Sequence, residues 1–436
     1  MLYRRSMNIL IVETVWMGGR RYRFLEKTLL TMFSILPTLQ AREIVAITPK
    51  QHTVSIVNER YSQINYNIAY DAVLINFVTS TAPRAYAISD NFRKKGVIVI
   101  LSGFHASGLP EEAKQHAHSV LIGRNEQIWI KVLRDIEQKN LQPFYYTSLH
   151  LSDLTLPPTN IRLPGFVIMG AIEATRGCPY HCEFCPETSI QGVVPFYKRS
   201  IPKVIAEINE IPQKIFMFYD ASLTIDSSYT KELFRKMKGL HKKFVCNGNV
   251  DVLARDVELV RLSKEAGCVA WLIGFESINQ KTLNTVGKKT NRIDEYAKAI
   301  ENIHKNRMAV VGDFIFGFDT DSSAVFDETL KEITKLKIDV ADFSILTPFP
   351  GTPLYKKLDD DKRILTREWK FYNMKNVVFK PKHMTPEELL QGVQKMYTKF
   401  YTFSYSMKRI FQNLHRGLYP FFIVLGKHIF AIISSR

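Results

Sequence analysis

Three cysteines in one short loop are the residues of this sequence best suited to chemistry. Cys178, Cys182 and Cys185 lie in Thr-Arg-Gly-Cys-Pro-Tyr-His-Cys-Glu-Phe-Cys, so their spacing is C-x3-C-x2-C. Three thiolates from one loop can hold three irons of a [4Fe–4S] cluster and leave the fourth iron open. An open iron is what a chelating substrate needs. The spacing therefore predicts that these cysteines are metal ligands at a catalytic centre.

Two plainer alternatives are a zinc knuckle and chance clustering. A structural zinc site normally needs a fourth Cys or His ligand. His181 lies between the cysteines, whereas Cys246 and Cys268 are remote single residues that fit better as small core residues. The loop directly follows a predicted strand, which favours the iron–sulfur interpretation over both alternatives.

The length and composition describe an ordinary globular chain. With 436 residues, two or three domains are expected. A hydrophobic content of 46% and a charged content of 23% exclude long disorder, collagen and a disulfide-stapled miniprotein. The five cysteines are odd in number and crowded, which argues against a secreted disulfide framework. Met1–Ile11 reads as a first strand rather than a signal peptide, so a reducing cytoplasm is the expected location.

The first part of the chain, residues 1–141, alternates short apolar runs with helical patterns. This alternation predicts an α/β domain with βαβ units around a parallel sheet. Helices are predicted at Ala85–Lys94 and Glu126–Glu137. The predicted strands are Asn8–Val12, Ile44–Ile47, Ala72–Phe77, Val97–Leu101 and Ser119–Ile122. Residues 142–165 contain four prolines and little periodicity, so we interpret them as a linker.

A second alternating series begins at residue 166 and predicts a partial (β/α)6 barrel over residues 166–365, with the site at the carboxyl ends of its strands. The predicted strands are Phe166–Ala174, Ile215–Tyr219, Phe244–Asn249, Val269–Gly274, Ala309–Phe316 and Ala341–Leu346. The predicted helices are Pro202–Glu210, Ser228–Leu240, Val257–Ala266, Arg292–Lys305 and Val325–Leu336. Residues 366–436 are predicted to be helical, with a capping box at Thr385-Pro386-Glu387-Glu388.

The cysteine segment resembles the cluster loop of the radical S-adenosylmethionine (SAM) superfamily, including an aromatic residue, Phe184, before the last cysteine. In that superfamily the open iron chelates the amino and carboxylate groups of SAM. One electron then cleaves SAM to a 5′-deoxyadenosyl radical, which abstracts hydrogen from the substrate. The resemblance also implies a flavodoxin- or ferredoxin-type electron donor.

The same resemblance implies SAM contacts at the ends of the later strands. Asp220 follows the second strand, where the family often has Gly-Gly-Glu; the glycines are missing here, and a turn or capping carboxylate is the alternative role. Leu346–Thr352 resembles the family's sixth-strand loop. The implied contacts are Phe184, Asp220, Asn247, Asn249, Glu276, Ser277, Phe316 and Gly317.

Residues 1–141 resemble the Rossmann-like, flavodoxin-type cobalamin-binding domain that precedes the barrel in one large radical SAM class. The resemblance implies cobalamin contacts at Thr79, Ser80, Ser102, Gly103, His105 and Gly123. There is no Asp-x-His-x-x-Gly loop, so no histidine would coordinate cobalt from below. Ser102-Gly103 stands in place of Gly-Gly, and Gly123-Arg124-Asn125-Glu126 in place of Gly-Glu-x-Glu. A degenerate domain kept for structure therefore remains the alternative.

The end of the sequence is basic and apolar. The net charge is +17, and no acidic residue follows Glu388. Phe403, Met407, Ile410, Phe411 and Leu414 recur at helical spacing. Leu418–Ile433 is apolar, but with 16 residues it is shorter than the roughly 20 that span a bilayer. These features predict peripheral association with an anionic membrane; packing of the helices on the barrel is the alternative.

Within the cobalamin class, Trp369–Tyr372 and Val378–Pro381 resemble the hopanoid methylase-like group. This resemblance implies methyl transfer from methylcobalamin to an unactivated carbon of a small hydrophobic or lipid substrate. The first alternative is a radical SAM rearrangement, oxidation or coupling without methyl transfer. RNA modification and a non-catalytic iron–sulfur or zinc protein that binds nucleic acid are further alternatives. No RNA-binding motif is visible, so nucleic acid is not the expected partner.

Overall fold

A computed structural model describes residues 6–14, 39–59, 62–124, 128–147, 169–189 and 196–434. Two six-stranded parallel sheets form its framework. The first belongs to the amino-terminal domain and the second to the barrel, as the alternating patterns predict. The predicted linker residues 148–165 lie outside the described residues.

The first sheet has the strand order β2-β1-β3-β4-β5-β6. Because the order reverses at β1, the carboxyl ends of β1 and β3 form the switch point where such sheets bind ligands. The strands are β1 (Asn8–Glu13), β2 (Thr53–Asn58), β3 (Ala72–Asn76), β4 (Ile98–Ser102), β5 (Ser119–Ile122) and β6 (Phe144–Tyr146). The helices are α1 (Leu39–Ile47), α2 (Ala82–Lys94), α3 (Phe104–Gly108), α4 (Pro110–His116) and α5 (Trp129–Glu137).

Three local predictions for this domain are wrong. The predicted strand Ile44–Ile47 is the second half of α1, whose Ala41 and Ile44 are buried at helical spacing. The second strand is instead β2, a mostly half-buried segment without a strong apolar run. The predicted linker begins too early, because β6 pairs with β5 and completes the sheet.

The second sheet follows chain order, β7-β10-β11-β12-β13-β14, which is the arrangement of a partial (β/α)6 barrel. Its strands are β7 (Met169–Ile172), β10 (Ile215–Phe218), β11 (Lys243–Asn247), β12 (Cys268–Glu276), β13 (Ala309–Phe316) and β14 (Val340–Ile345). A two-stranded antiparallel pair flanks the cysteine loop: β8 (Thr175–Arg176) and β9 (Tyr197–Lys198). All six predicted barrel strands overlap observed ones, although residues 166–168 lie outside the described range.

Helices cover the outer face of this sheet because every second strand residue is a large apolar one, such as Phe216, Trp271 and Phe314. The helices of this part of the chain are α6 (Pro186–Ser189), α7 (Ile201–Glu210), α8 (Ser227–Met237), α9 (Val250–Arg255), α10 (Val257–Ala266), α11 (Gln280–Thr285), α12 (Ile293–Lys305), α13 (Val325–Lys335), α14 (Pro353–Asp360), α15 (Pro386–Phe400), α16 (Phe403–Leu414) and α17 (Leu418–Ser434). The capping box predicted at Thr385 is confirmed at the start of α15.

The carboxyl-terminal helices pack on the inner face of the barrel sheet. Ile410 of α16 and Val424 of α17 share a core cluster with inner-face residues such as Val245 and Val311. His428 is fully buried, and its Nε2 lies 2.9 Å from the carbonyl oxygen of Asp339. The prediction that Leu418–Ile433 lies on a membrane is therefore wrong for this face of α17. Among the described helices, none is both long and apolar enough to cross a membrane.

Candidate active site

A cavity of about 740 Å³ opens where the carboxyl ends of the two sheets meet. The amino-terminal domain contributes Thr79, Ser80 and Phe104 to its wall. The cysteine loop contributes Phe184 and Cys185. The inner face of the barrel contributes three carboxyl groups, and α17 contributes an aromatic ring: Glu276, Asp313, Asp342 and Phe430. This cavity is the place where groups held by the two domains can meet.

The three predicted cluster ligands lie together in the loop that follows β8. Cys182 is buried, and Cys178 and Cys185 are partly buried. Burial raises the pKa of all three thiols, for Cys185 to about 12. Metal binding requires thiolates, so a neighbouring positive charge is needed to offset this effect.

Lys288 supplies that charge. Its Nζ donates a hydrogen bond to Oε1 of Glu276 at 2.8 Å, and its charge lowers the pKa of all three cysteines against the effect of burial. A set of three thiols beside one partly buried cation fits an anionic iron–sulfur cluster. Among the described residues, no group of three His, Cys, Asp or Glu side chains is close enough to hold a metal ion. The thiols share one loop without converging on one ion.

Asp220 is fully buried rather than open to the cavity. Its carboxylate accepts hydrogen bonds from the backbone N–H groups of Ala174 and Thr175 and from the Thr175 hydroxyl at 2.6 Å. Burial, with repulsion from Glu173, raises the pKa of Asp220 to about 7. These contacts fix the turn that leads into the cysteine loop, which is the alternative turn role named for Asp220.

Asn247 and Asn249 lie at the end of β11 and are partly buried. The Asn247 side chain donates to the carbonyl oxygen of Asp220 at 2.8 Å. Asn249 is the N-cap residue of α9, and its buried Nδ2 has no hydrogen-bond partner among the described residues. Its amide also acts on the neighbouring Tyr180, whose pKa it lowers against the effect of burial, and contact with SAM stays a prediction.

Glu276 ends β12 in a left-handed backbone conformation with φ of 63°. The register with β13 shifts between Gly274 and Glu276, so a bulge turns this residue toward Lys288. A non-glycine residue in this conformation stores strain of the kind found at functional sites. Ser277 is buried, and its Oγ accepts a hydrogen bond from the N–H of Asn279 at 3.1 Å.

Phe316 and Gly317 both lie against other parts of the protein, and their predicted contact with SAM stays a prediction. Phe316 is 2% exposed and packs on Phe326 and Phe343 in the outer core. A Cβ atom at Gly317 would lie 2.8 Å from Leu389 of α15. The close approach that requires this glycine is therefore made by the protein itself. Strand parity explains the outcome, because Ile315 faces the cavity and Phe316 faces the helices.

The predicted cobalamin contacts divide into two groups. Thr79 and Ser80 line the cavity, and their contact with cobalamin stays a prediction. Gly103 has φ of 108°, and a Cβ there would lie 2.2 Å from the Phe77 carbonyl oxygen, so this glycine serves close backbone packing. Ser102 is fully buried, and the backbone N–H of Gly123 donates to Ser107 Oγ at 3.0 Å.

His105 is fully buried and does not reach the cavity. Its Nε2 lies 3.2 Å from Glu112 Oε1, which also accepts hydrogen bonds from Tyr86 and from Trp369 Nε1 at 2.9 Å. Although burial opposes ionisation, these hydrogen bonds lower the pKa of Glu112. Through Glu112, His105 helps to join the amino-terminal domain to the segment after the barrel, and its contact with a cofactor stays a prediction.

Sequence reasoning missed a buried ion network that holds both ends of the cysteine loop. Arg176, just before the loop, pairs with Glu43 of α1 and through Nε with Glu173 Oε2 at 2.7 Å. Arg124 contacts Glu173 Oε1 at 3.1 Å and Glu187, just after the loop, at 3.2 Å. The signal was Arg124 itself, which stands where the family reads Glu. The amino-terminal domain therefore forms ion pairs with residues on both sides of the cysteine loop.

A cysteine loop at the carboxyl end of the first strand of a partial (β/α)6 barrel defines an iron–sulfur enzyme. The model of the "Radical SAM superfamily" matches residues 172–333. The bacteriochlorophyllide d C-12(1)-methyltransferase of Chlorobaculum tepidum is 32% identical over 354 residues, which cover 78% of this chain and 77% of that protein. The chain therefore belongs to the radical SAM superfamily, whose members use a [4Fe–4S] cluster and SAM. This confirms the predicted enzyme class.

Two further comparisons bear on the predictions. Hopanoid C-2 methylase of Rhodopseudomonas palustris is 23% identical over 257 residues, covering 55% of this chain and 47% of that protein. The cobalamin-dependent radical SAM enzyme OxsB, solved with aqua-cobalamin and SAM, matches with a TM-score of 0.69 at 12% identity, covering 98% of this chain and 72% of that one. The likeness to OxsB confirms the predicted two-part fold, a Rossmann-like domain followed by the barrel.

Proposed function

We propose that this chain is a cobalamin-dependent radical SAM enzyme that methylates an unactivated carbon of a small hydrophobic substrate. The observation that carries the proposal is the single cavity that joins the switch-point edge of the first sheet, at Thr79 and Ser80, to the cluster loop at Cys185. The similarity to the bacteriochlorophyllide d methyltransferase supports methyl transfer and makes a tetrapyrrole the first substrate to test. The similarity to the hopanoid methylase makes a lipid the second.

Each part of the site has a separate task in this proposal. Cys178, Cys182 and Cys185 hold the cluster, and Lys288 stabilises their thiolates. Thr79 and Ser80 hold the corrin at the opposite wall, and no histidine among the described residues lines the cavity. When bound, the cluster supplies the electron that cleaves SAM, and the corrin supplies the methyl group. The apolar walls exclude water from the reacting groups.

Anaerobic purification from cells supplied with cobalamin tests the proposal. We expect four irons and one cobalt per chain, and labelled SAM together with bacteriochlorophyllide d is expected to give a methylated product. Methylation should yield S-adenosylhomocysteine as well as 5′-deoxyadenosine. Four irons with 5′-deoxyadenosine but no cobalt and no methylated product would support rearrangement, oxidation or coupling instead. Flavodoxin and ferredoxin are the electron donors to compare.

A second part of the proposal concerns the outer surface of α16 and α17, which we name the apolar hairpin surface. Its members are large hydrophobic residues exposed to solvent: Phe403, Tyr405, Phe411, Leu414, Leu418, Tyr419 and Phe422. Phe403 is 78% exposed and Leu418 65%. An apolar patch beside basic residues such as Lys408 is suited to an anionic lipid surface. We infer that this surface, rather than the buried face of α17, rests on the membrane.

Vesicle sedimentation tests this inference. We expect the chain to bind anionic phosphatidylglycerol vesicles more strongly than neutral phosphatidylcholine vesicles. A Phe403→Ser, Phe411→Ser and Phe422→Ser triple variant should lose most of that binding while retaining its iron content. Val257→Ser, which alters an exposed apolar residue elsewhere, is the matched control. Equal binding by the triple variant and the wild type would contradict the inference.

A further inference from the structure

The inner face of the barrel sheet carries two carboxyl groups that the proposed function does not use. Asp313 and Asp342, which we name the acid pair, are direct partners in the parallel register of β13 and β14. Both line the cavity that contains Cys185. Their position follows from the strand period of two, because Val311 and Val340 lie on the same face and pack in the cluster that includes α17.

One lysine, Lys427, contacts the acid pair directly. Nζ of Lys427, on α17, donates to Asp342 Oδ2 at 3.0 Å. No hydrogen bond joins the Asp313 side chain to another of the described residues. Two carboxylates side by side resist joint ionisation, and one lysine compensates only one of them. The pair therefore retains one proton, and Asp313, which lacks the lysine, is where it resides.

The charges around Asp313 agree with this assignment. Burial and repulsion from Asp342 and Glu276 raise the pKa of Asp313 to about 8, while Lys427 and Lys288 act in the opposite direction. Tyr397 of α15 also faces the pair, and burial raises its pKa. Although burial opposes its charge, Asp342 raises the pKa of Lys427, which stays protonated. Below about pH 8, Asp313 presents a neutral carboxyl group that can donate a hydrogen bond.

The cavity wall around Asp313 indicates which kind of ligand this hydrogen-bond donor would bind. Apolar residues are prominent in the rest of the cavity wall, beside polar ones such as Ser344 and Thr347: Ile315, Leu346, Phe349 and Phe430. A polar group in such a wall costs free energy unless a ligand satisfies it. The ligand that fits is an apolar molecule bearing one oxygen acceptor at the matching position.

We propose that Asp313, flanked by the Asp342–Lys427 ion pair, binds a carbonyl or hydroxyl oxygen of the substrate and so selects which carbon faces the reacting groups. This inference rests on the proposed function and names the part of the cavity that sets specificity. It also gives α17 a role, because Lys427 and Phe430 bring the helix to the cavity wall. Asp313 is a specificity-determining residue for binding and takes no part in cleaving SAM.

A titration of bacteriochlorophyllide d by its own absorbance, on both sides of pH 8, tests the inference. We expect the wild-type affinity to fall roughly tenfold as Asp313 ionises, because one hydrogen bond is lost. Asp313→Asn keeps a donor that does not titrate, so its affinity should not change with pH. Asp313→Leu should bind roughly tenfold more weakly at every pH. Asp294→Asn, on an exposed carboxylate of α12, is the matched control.

Infrared difference spectroscopy gives a second readout that needs no turnover. Between pH 7 and pH 8, where Asp220 is mostly ionised, the wild type should show a neutral-carboxyl carbonyl band that is weaker in Asp313→Asn by the contribution of one group. Wild-type affinity that does not vary with pH, or Asp313→Leu binding as tightly as the wild type, would overturn the inference while leaving methylation intact. Absence of binding and of product in the wild type would instead overturn the proposed function, and the inference with it.

Discussion

The carboxyl edges of the two sheets are closed in different ways. At the first sheet, the residues that resemble cofactor contacts are mostly occupied by the protein: His105 by Glu112, and Gly103 by the Phe77 backbone. At the barrel, Cys185, Glu276 and Asp313 remain open to the cavity. The difference indicates that the reacting groups are concentrated at the barrel. The first domain contributes one wall of the cavity and the ion pairs that hold the cysteine loop. The predictions below test that division.

The largest effect is expected from Cys182→Ala. Loss of one of three thiols should abolish the cluster and with it all cleavage of SAM, whereas the melting temperature should fall only slightly because the buried Cys182 loses a single small group. Iron analysis and 5′-deoxyadenosine formation measure the loss. Cys246→Ala and Cys268→Ala, which alter buried core cysteines, are matched controls that should keep full iron. Retention of iron by Cys182→Ala would mean that Cys182 is not a cluster ligand and would contradict the assignment of the chemistry to the barrel edge.

The second largest effect is expected from breaking the ion network at Arg176. Arg176→Met removes the shared partner of Glu43 and Glu173, while Glu173 keeps its contact with Arg124, so the free energy of unfolding should fall by about 1–3 kcal/mol. Because Arg176 precedes the cysteine loop, iron occupancy should fall as well. Urea unfolding and iron content are the measurements. Arg255→Met removes a pair whose arginine is 60% exposed and should have a far smaller effect on the free energy of unfolding. Equal losses of unfolding free energy and of iron in the two variants would contradict the role of the ion network in holding the cysteine loop.

His105→Ala tests the closed edge directly. The change leaves the Glu112 carboxylate with one donor fewer, so we expect a cost of about 1–3 kcal/mol in unfolding free energy. Cobalt content should remain that of the wild type once the protein is folded. Cobalt analysis after anaerobic purification, normalised to folded protein, makes the measurement. A selective loss of cobalt would mean that His105 does contact the corrin and that the division between the two edges is wrong.

Ser102→Gly should have the smallest effect. It restores the Gly-Gly of the resembling family, but Ser102 is fully buried and its side chain makes only long contacts of 3.4 Å. We expect a loss of roughly 0.5–1 kcal/mol from the added backbone freedom of glycine. Cobalt affinity should be unchanged. A marked gain in cobalt affinity would show that the serine restricts access to the corrin.

The sequence predicted the framework better than the site. Ala309–Phe316, Val257–Ala266 and Ser119–Ile122 have the predicted bounds, because long periodic patterns reveal strands and helices directly. The cysteine loop was also readable, since its ligands are close in the chain. That the Phe316 side chain faces the helices could not be predicted, because a motif does not state which face of a strand is the inner one. Asp313 was missed because its function depends on Asp342 and Lys427, which are distant in sequence.

The tail shows why amphipathic patterns are ambiguous. The spacing of Phe403, Ile410 and Leu414 is the same whether a helix lies on lipid or on protein. In the structure the two readings fall on different faces, since Ile410 is buried in the barrel cluster while Phe403 and Leu414 are exposed. Hydropathy alone does not separate these faces, because the partner surface, the inside of the barrel, is assembled from strands far away in the chain.

The position of α17 also has a consequence for the order of assembly. The hydrogen bond between Lys427 and Asp342 joins residues 85 positions apart, so closing that loop is slower than pairing adjacent strands. The six strands are then expected to form while their interior is still open. During that interval the inner face of the sheet is open on the side that α17 later covers. Pulsed hydrogen exchange during refolding should show protection of β13 and β14 before that of α17.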